Sequence, residues 1–279
     1  TMRKYSYNIT KKMSSLVMAS MFILSSTAVS FADVRDSKLE YLRQLNTEFR
    51  RNIDSVDTLD SNSGSRWQMQ VDADLVKDRK EATRFLQGVY SVVPFFNSMS
   101  IKSSGGNYSI NLQNMSSYDH SVVVDVAKQW TAEIIKDGMT DTQKLRAIHD
   151  KIINETVYDA SSGNNAHSPA GVAVDNRAVC DGYSRMFTIM ATLVEIPVVQ
   201  VTSNVMNHAF NLVYIDGEWL LVDATYDDPV TSNGKQVLKH DYFLIGPTDS
   251  KKHKFDSAQN GLTLEDYIKI GNYIYQDVI

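Results

Sequence analysis

The sequence lacks a second cysteine, an internal repeat, a low-complexity tract and an excess of basic charge. Among 279 residues, Cys180 is the single cysteine, so the chain cannot close an internal disulfide. Beyond its first 32 residues, no apolar run approaches the roughly 20 residues that a membrane helix needs. These absences exclude a disulfide-stapled scaffold and a multi-span membrane protein. They also leave one thiol whose presence needs a reason.

The N-terminus has the composition of a secretory signal peptide. Residues 1–12 carry four basic residues and no acidic one, and residues 15–29 form a mostly apolar run. Ser30 and Ala32 place small side chains where signal peptidase reads them. We therefore predict a signal peptide over residues 1–32 and a secreted or cell-envelope location. The alternative is a short membrane anchor, which the short, Ser/Thr-rich run disfavours.

The charge balance is acidic. The chain has 28 basic and 33 acidic residues, and its net charge of −5 becomes −9 once the four N-terminal cations are removed. No basic stripe remains that would bind nucleic acid or an anionic membrane surface. A hydrophobic content of 43% is ample for a packed core. The pattern predicts a soluble acidic protein after cleavage.

Residues 33–115 form an N-terminal region of unknown role. Apolar spacing predicts helices over 36–52 and 72–92, separated by a turn-rich linker at 58–66. A hairpin is predicted over 99–113, around a Gly-Gly-Asn turn. This region is a separate small domain, an arm on the main body or a surface-attachment segment, and the sequence leaves all three open.

Residues 116–279 are predicted to be one α+β domain. Helical spacing covers 122–136 and then a helix that Thr140 caps, and 159–177 reads as a polar loop. A further helix starts at Cys180 and ends near Glu195. The predicted strands are Val198–Val205, His208–Ile215, Glu218–Asp223 and Asp241–Ile245, with an edge strand in the tail at 271–279.

The surroundings of Cys180 favour reactivity. In the first turn of a helix, unpaired backbone amides and the positive end of the helix dipole favour a thiolate. The polar loop before it leaves the thiol accessible, and Gly182 allows another backbone or a substrate to come close. The alternative is a small core residue on an apolar helix face.

The hairpin over 208–223 brings a histidine to a carboxylate. Asp216-Gly217 is a strong two-residue turn, and pairing outward from it makes His208 and Asp223 diagonal neighbours, roughly 5–8 Å apart. Asp223 follows the apolar run Trp-Leu-Leu-Val, where an unpaired charge would be costly. A thiol, an imidazole and a carboxylate match the logic of nucleophile, base and orienting group. The alternative is an ordinary surface pair, which is worth little.

These segments resemble a known family. AVCDGYSRMF, IPVVQV and NHAFNLVYIDGEWLLVDATYDDP are similar to the core of the transglutaminase-like superfamily, relatives of the papain-like cysteine proteases. The resemblance covers about residues 120–255. Phe210 and Tyr226 stand where tryptophan is commonest in the family, a mild departure.

The resemblance implies a papain-like fold, in which a nucleophile helix packs on an antiparallel sheet. It implies Cys180 as nucleophile, His208 as general base and acid, and Asp223 as the residue that orients His208. The oxyanion hole would use the Cys180 N–H and a donor from the preceding loop. Asn164, His167 and Ser168 are the candidates for that donor in the loop. Asn211 and Tyr226 are candidates for lining the cleft, and the alternatives are a strand polar contact for Asn211 and a packing aromatic for Tyr226.

The expected activity is extracellular thiol-dependent acyl transfer on peptide or glutamine amides. Water resolves the thioester in a protease or amidase and an amine resolves it in a transglutaminase; we favour hydrolysis, on a protein or peptide such as a cell-wall peptide. The alternative is a non-catalytic surface module that binds peptide. A redox or lipid-attachment role for Cys180 is weaker, because there is no Cys-x-x-Cys and no cysteine at the cleavage point.

No cofactor and no metal site are predicted. The remaining histidines are scattered along the sequence without an HExxH or Cys/His pattern, and Asp227-Asp228 lacks the ligand spacing of a calcium loop. These histidines are His120, His149, His167, His240 and His253. Trp219 is interpreted as core packing against Tyr214.

Overall fold

In the computed structural model, the described part of the chain contains helices, a three-stranded and a four-stranded antiparallel sheet, and a short two-stranded parallel pair. The described residues are 31–53, 66–71, 76–96, 98–105, 107–113, 118, 120–161, 163–230 and 237–279. The helices are α1 (Phe31–Asn52), α2 (Arg79–Val92), α3 (His120–Ile134), α4 (Asp141–Glu155), α5 (Gly163–Ala166), α6 (Cys180–Leu193) and α7 (Leu264–Ile274). The strands are β1 (Arg66–Val71), β2 (Ser98–Ser104), β3 (Asn107–Gln113), β4 (Val157–Tyr158), β5 (Arg177–Ala178), β6 (Val198–Ser203), β7 (His208–Ile215), β8 (Glu218–Val222) and β9 (Phe243–Ile245).

The N-terminal helices follow their apolar spacing. In α1 the four predicted positions, Leu39, Leu42, Leu45 and Phe49, are all buried. Helix α2 begins at Arg79 rather than at Asp72, because the Asp78 side chain accepts the Glu81 backbone N–H and caps the helix there. The predicted hairpin is present as β2 and β3.

A strand that was not predicted pairs with that hairpin. Strand β1 lies antiparallel to β3, so the sheet order is β1-β3-β2. Arg66, the last residue of the predicted linker, is its first residue, and the rest of that linker lies outside the described residues. Strand β1 extends the hairpin to three strands, and a two-stranded hairpin alone is only marginally stable in water.

Helix α4 begins and ends where its sequence signals predict. The Thr140 hydroxyl accepts the Gln143 N–H, and the Gln143 side chain accepts the Thr140 N–H, which together form a capping box. Leu145, Ile148 and Ile152 then face the core with no exposed surface. Helical periodicity and capping chemistry agree here, so the prediction was accurate.

Helix α6 is the central element of the core. It contacts β6 and β7 of the C-terminal sheet and also the helices α3 and α4. Met186, Phe187, Ile189 and Met190 are completely buried. Each such side chain contributes about 1.5–3 kcal/mol through removal of apolar surface from water. The helix that starts with Cys180 is therefore anchored along most of its length.

The C-terminal sheet has the order β6-β7-β8-β9 and is antiparallel throughout. Its central hairpin has the predicted register, with Ile215 opposite Glu218 and Leu212 opposite Leu221. Asp216 and Gly217 have φ values of 51° and 92°, the left-handed pair that a type I′ turn requires. The α+β class, with the helix that begins at Cys180 packed on an antiparallel sheet, is confirmed.

Two local predictions were wrong. Residues 159–177, predicted as a loop, contain α5, a π-helical turn at Gly171–Asp175 and strand β5, which pairs in parallel with β4. In the tail, residues 271–274 end helix α7 and residues 275–278 are turns, so there is no edge strand at 271–279. The Thr263 hydroxyl and Asp266 carboxylate form a capping box at the start of α7, and Tyr267, Ile270 and Ile274 form a buried stripe. Alternation in 271–279 was too short to outweigh capping and helical spacing upstream.

Residues 38–279 form one compact unit and residues 1–37 another, of which the structure describes residues 31–37, the first turns of α1. Phe49, Ile53 and Phe95 of the N-terminal region belong to the same buried cluster as α6. The division of the chain after residues 32 and 115 remains a prediction. The signal peptide falls on residues 1–32, of which 1–30 lie outside the described residues. None of the described helices is both long enough and apolar enough to cross a bilayer.

Candidate active site

Cys180 is the first residue of α6 and is partly exposed. Backbone N–H groups in the first turn of a helix have no intrahelical acceptor, so they point toward the thiol and the space in front of it. The preceding residue is held in place, because the Val179 N–H donates to the Ala166 carbonyl at 3.1 Å. The start of the helix is thus tied to α5, which precedes it in the chain.

Gly182 allows the loop around residues 166–168 to approach helix α6 closely. A Cβ at this position would lie 2.7 Å from the Ala166 carbonyl oxygen and 3.0 Å from the Ser168 carbonyl oxygen. Both are backbone atoms that cannot rotate away, so any side chain would push the loop off the helix. The close approach predicted for this glycine is to backbone of the same chain.

His208 and Asp223 meet at one end of the hairpin. His208 is the first residue of β7 and Asp223 directly follows β8, and His208 Nε2 lies 2.6 Å from Asp223 Oδ2. The other carboxylate oxygen, Oδ1, accepts the backbone N–H groups of Thr225 at 2.9 Å and Tyr226 at 3.0 Å. Burial opposes the charge of Asp223, yet these bonds and the two histidines hold its pKa below the ordinary value.

The surroundings of His208 favour its cationic form. Burial disfavours its charged form, but hydrogen bonds to Asp223 and to the Cys180 side chain raise its pKa to about 10. Because Nε2 faces Asp223, Nδ1 is the nitrogen left for the thiol. The ring is stacked on Tyr226, with centroids 4.4 Å apart and planes 22° from parallel.

A second histidine that sequence reasoning missed lies on the same carboxylate. His253 Nε2 is 2.8 Å from Asp223 Oδ2, and the imidazole is fully buried. It follows β9 and is 30 residues from Asp223, so no strand register or helical spacing links the two. In the sequence it is one of five histidines that are scattered outside the predicted site. The only available signal was its position within the segment HDYFLIGPTDSKKH.

The other sequence candidates have distinct positions. Asn211 is buried and donates to the Ser184 carbonyl and to Thr188 Oγ1, so it links β7 to α6 inside the core. Ser168 is also buried and its hydroxyl accepts the Ala170 N–H. His167 is exposed and lies 3.0 Å from the Asp181 carboxylate. Asn164 is an exposed residue of α5.

A tyrosine links helix α6 to the segment that follows Asp223. The Tyr183 hydroxyl donates to Asp228 Oδ2 at 2.6 Å, and Tyr183 is almost completely buried. Burial raises the pKa of Asp228, while the hydrogen bond from Tyr183 opposes that change. One buried hydrogen bond therefore links the helix that carries Cys180 to the segment that follows Asp223.

Two groups within the described residues have ligand atoms close enough for a metal ion: His208 with Asp223 and His253, and His149 with Asp150 and His240. In the second group Asp150 Oδ1 lies 2.9 Å from His149 Nδ1 and 2.6 Å from His240 Nε2. Burial lowers the pKa of His149, but Asp150 and Asp227 on its two nitrogens raise it above the ordinary value. His149 and His240 are far apart in the sequence but adjacent in the structure. Both are hydrogen-bonded to Asp150, and Asp150 also forms an ion pair with Arg146.

The chain thus has a cysteine, Cys180, at the N-terminus of a helix, and a histidine–carboxylate pair, His208 and Asp223, at the end of a sheet hairpin. Residues 128–224 match the model of the transglutaminase-like superfamily. Over those residues the chain is therefore similar to the transglutaminase-like superfamily. The resemblance seen in the sequence is confirmed.

Two curated relatives are similar over part of their length. Human kyphoscoliosis peptidase (Homo sapiens) is 27% identical over 185 residues, which cover 57% of this chain and 28% of that protein. The mouse protein (Mus musculus) is 26% identical over 151 residues, which cover 46% of this chain and 23% of the mouse protein. The chain thus spans about a quarter of their length. A solved structure of a TGase overlaps 75% of this chain and 65% of its own, at 15% identity and a TM-score of 0.35.

Proposed function

We propose that the chain is a thiol hydrolase that cleaves amide bonds of proteins or peptides through Cys180, His208 and Asp223. The observation that carries the proposal is the 2.6 Å contact between His208 and a fully hydrogen-bonded Asp223, beside the partly exposed Cys180. That geometry supports Cys180 as the nucleophile, His208 as the proton carrier and Asp223 as the orienting carboxylate.

The reaction would proceed in two steps. The Cys180 thiolate attacks the amide carbonyl, a sulfur–carbon bond forms, and the carbon–nitrogen bond breaks as His208 gives its Nδ1 proton to the leaving amine. Water then attacks the thioester, His208 takes one of its protons, and the acid leaves as the thiolate is regenerated. The Cys180 N–H would stabilise the oxyanion in each step.

Hydrolysis is favoured over transfer to an amine because Cys180 is partly open to solvent, so water can reach the thioester. The curated relatives are named as peptidases, which agrees with this choice. A transglutaminase must keep water away while an amine enters. The substrate class we propose is a protein or peptide, with cell-wall peptides included.

The first prediction concerns the products formed from casein supplied with a biotin-labelled primary amine. We expect the wild-type chain to release peptides and to attach no measurable biotin, and we expect the Cys180→Ala chain to do neither. Mass spectrometry of the digest and blotting for biotin measure the two outcomes. Amine-linked casein without cleavage would overturn hydrolysis. Peptide bound equally tightly by both chains, and cut by neither, would favour the binding module.

The proposal includes export from the cytoplasm, which rests on the composition of residues 1–32. We expect the mature protein recovered from the medium or cell envelope of an expressing bacterium to begin at Asp33. N-terminal sequencing of that material measures the start. A mature chain that keeps residues 1–32, or one found in the cytoplasm alone, would contradict the signal peptide.

A further inference from the structure

Asp223 is held by a second imidazole that no step of the reaction uses. His253 Nε2 lies 2.8 Å from Asp223 Oδ2, the same oxygen that His208 contacts at 2.6 Å. The His253 side chain has no exposed surface, so it cannot contact a substrate. A buried polar ring on a buried carboxylate is costly to place unless both are fully hydrogen-bonded.

The far side of that ring is also fixed. Ser250 Oγ lies 2.6 Å from His253 Nδ1, and it accepts the His253 backbone N–H at 3.3 Å. A hydroxyl whose lone pair takes the backbone N–H can direct its own hydrogen at Nδ1. His253 then carries its proton on Nε2 and donates it to Asp223. Ser250 thus sets the tautomer that makes His253 a donor.

Surrounding rings restrict His253 to one orientation. Its centroid lies 4.8 Å from that of Phe210, 5.1 Å from Tyr226 and 5.2 Å from Tyr242. Tyr226 also stacks on His208, so the two imidazoles share one aromatic wall. A ring confined in this way holds its Nε2–H in one direction, and the carboxylate it binds cannot rotate freely.

We propose that His253 is a positioning residue: with Ser250 it fixes the Asp223 carboxylate so that its Oδ2 faces His208. Asp223 accepts one hydrogen bond from each histidine at Oδ2 and two from backbone N–H groups at Oδ1. Removing the His253 bond leaves Oδ2 with a single donor and frees it to swing away from His208. The inference rests on the proposed function, since it concerns how the triad is held.

The groups that face His253 set the direction of the pH effect. The titratable or charged neighbours are Asp223, His208, Tyr226, Tyr242 and, over the Tyr242 ring, Lys252. The bond from His253 is among the interactions that lower the Asp223 pKa. Without it that pKa rises, so activity fails at a higher pH on the acid side.

The test compares His253→Phe, which keeps a ring but has no donor, with His253→Gln, whose amide nitrogen can reach Asp223. For hydrolysis of fluorescent casein we expect His253→Phe to lower kcat by about 10–100-fold with little change in KM. Its acid limb should move up by roughly one pH unit. We expect His253→Gln to recover most of both effects, and Ser250→Ala to lie between.

His240→Phe is the matched control, because it removes a histidine from a carboxylate, Asp150, outside the site. It should leave kcat and the pH profile unchanged. A folded His253→Phe or Ser250→Ala chain with wild-type kcat and pH profile overturns the inference and leaves the proposed function intact. So does a His253→Gln chain no better than His253→Phe.

Failure of the proposed function has a different signature. If the wild-type chain cleaves nothing, that proposal fails, and the iodoacetamide rate of Cys180 at about pH 6 still reports on His253. That rate depends on a correctly placed His208, so it should fall in His253→Phe and recover in His253→Gln. A rate that is equal in the wild type and both variants would overturn the inference there too.

Discussion

Asp223→Asn is expected to lower kcat for casein hydrolysis by roughly 10⁴-fold, the size seen when an orienting carboxylate becomes an amide. The Asp223 carboxylate accepts four hydrogen bonds and, being ionised, donates none. An amide can keep its oxygen toward the Thr225 and Tyr226 N–H groups, but it then turns its NH₂ toward His208 and His253. His208 would have to present Nε2 as an acceptor and carry its proton on Nδ1, so it could not take the proton of the thiol.

The measurement is kcat of the folded variant, with near-ultraviolet circular dichroism to establish that the core is intact. Asp150→Asn is the matched control, because Asp150 also accepts from two histidines but lies outside the site. It should keep wild-type turnover. An Asp223→Asn chain that retains more than about a tenth of the activity would show that Asp223 does not orient His208.

The second large effect is expected in the alkylation of Cys180 by iodoacetamide at about pH 6. An ordinary cysteine is only about 0.3% thiolate at that pH. In this protein the imidazolium of His208 stands beside the thiol, and we expect alkylation roughly 100-fold faster in the wild type than in His208→Ala, after allowance for the weaker nucleophilicity of a stabilised thiolate. Cys180 is the only cysteine, so the label reports on one site.

The pH dependence of Cys180 alkylation follows from the charge of His208. The pKa of His208 is raised to about 10, so its charge persists from acid pH to about that value. The stability that this charge adds is complete below the unfolded value of about 6.5 and is lost as the pH rises through about 10. Alkylation of the wild type should therefore be nearly flat between about pH 6 and 9. In His208→Ala it should climb about tenfold per pH unit up to about pH 8 and then level off, as for an ordinary cysteine.

His240→Ala is the control for that experiment and should alkylate like the wild type, since His240 contacts Asp150 and not Asp223. Slow alkylation that is the same in wild type and His208→Ala would mean that the two side chains do not form an ion pair in the isolated protein.

Elements with two independent local signals were predicted well. Helix α4 has both helical spacing and a Thr140–Gln143 capping box, and it spans Asp141–Glu155 as expected. The β7–β8 hairpin has alternating apolar residues and an Asp-Gly turn, and its register agrees with prediction. Since that register is set by the turn, the neighbourhood of His208 and Asp223 could be derived from the sequence.

Elements with one weak signal, or with conflicting signals, were predicted poorly. Strand β1 has no turn or alternation strong enough to mark it, and it exists because β3 offers a free edge. In the tail, alternation over a few residues suggested a strand, whereas the upstream Thr263 cap and the burial of Tyr267 decided for a helix. Tertiary partners settle such segments, which local propensity leaves undecided.

The sequence by itself determined the class of fold, the helix that begins at Cys180, the hairpin register and the three residues Cys180, His208 and Asp223 as candidates. Each depends on periods, caps and turns, which act over a few residues. Only the tertiary structure decided that His253 and Ser250 complete the surroundings of Asp223, and that His149, Asp150 and His240 form a second cluster. Those residues are tens of positions apart in the chain. Packing of loops and helices around a shared core brings them together, and no local pattern encodes that contact.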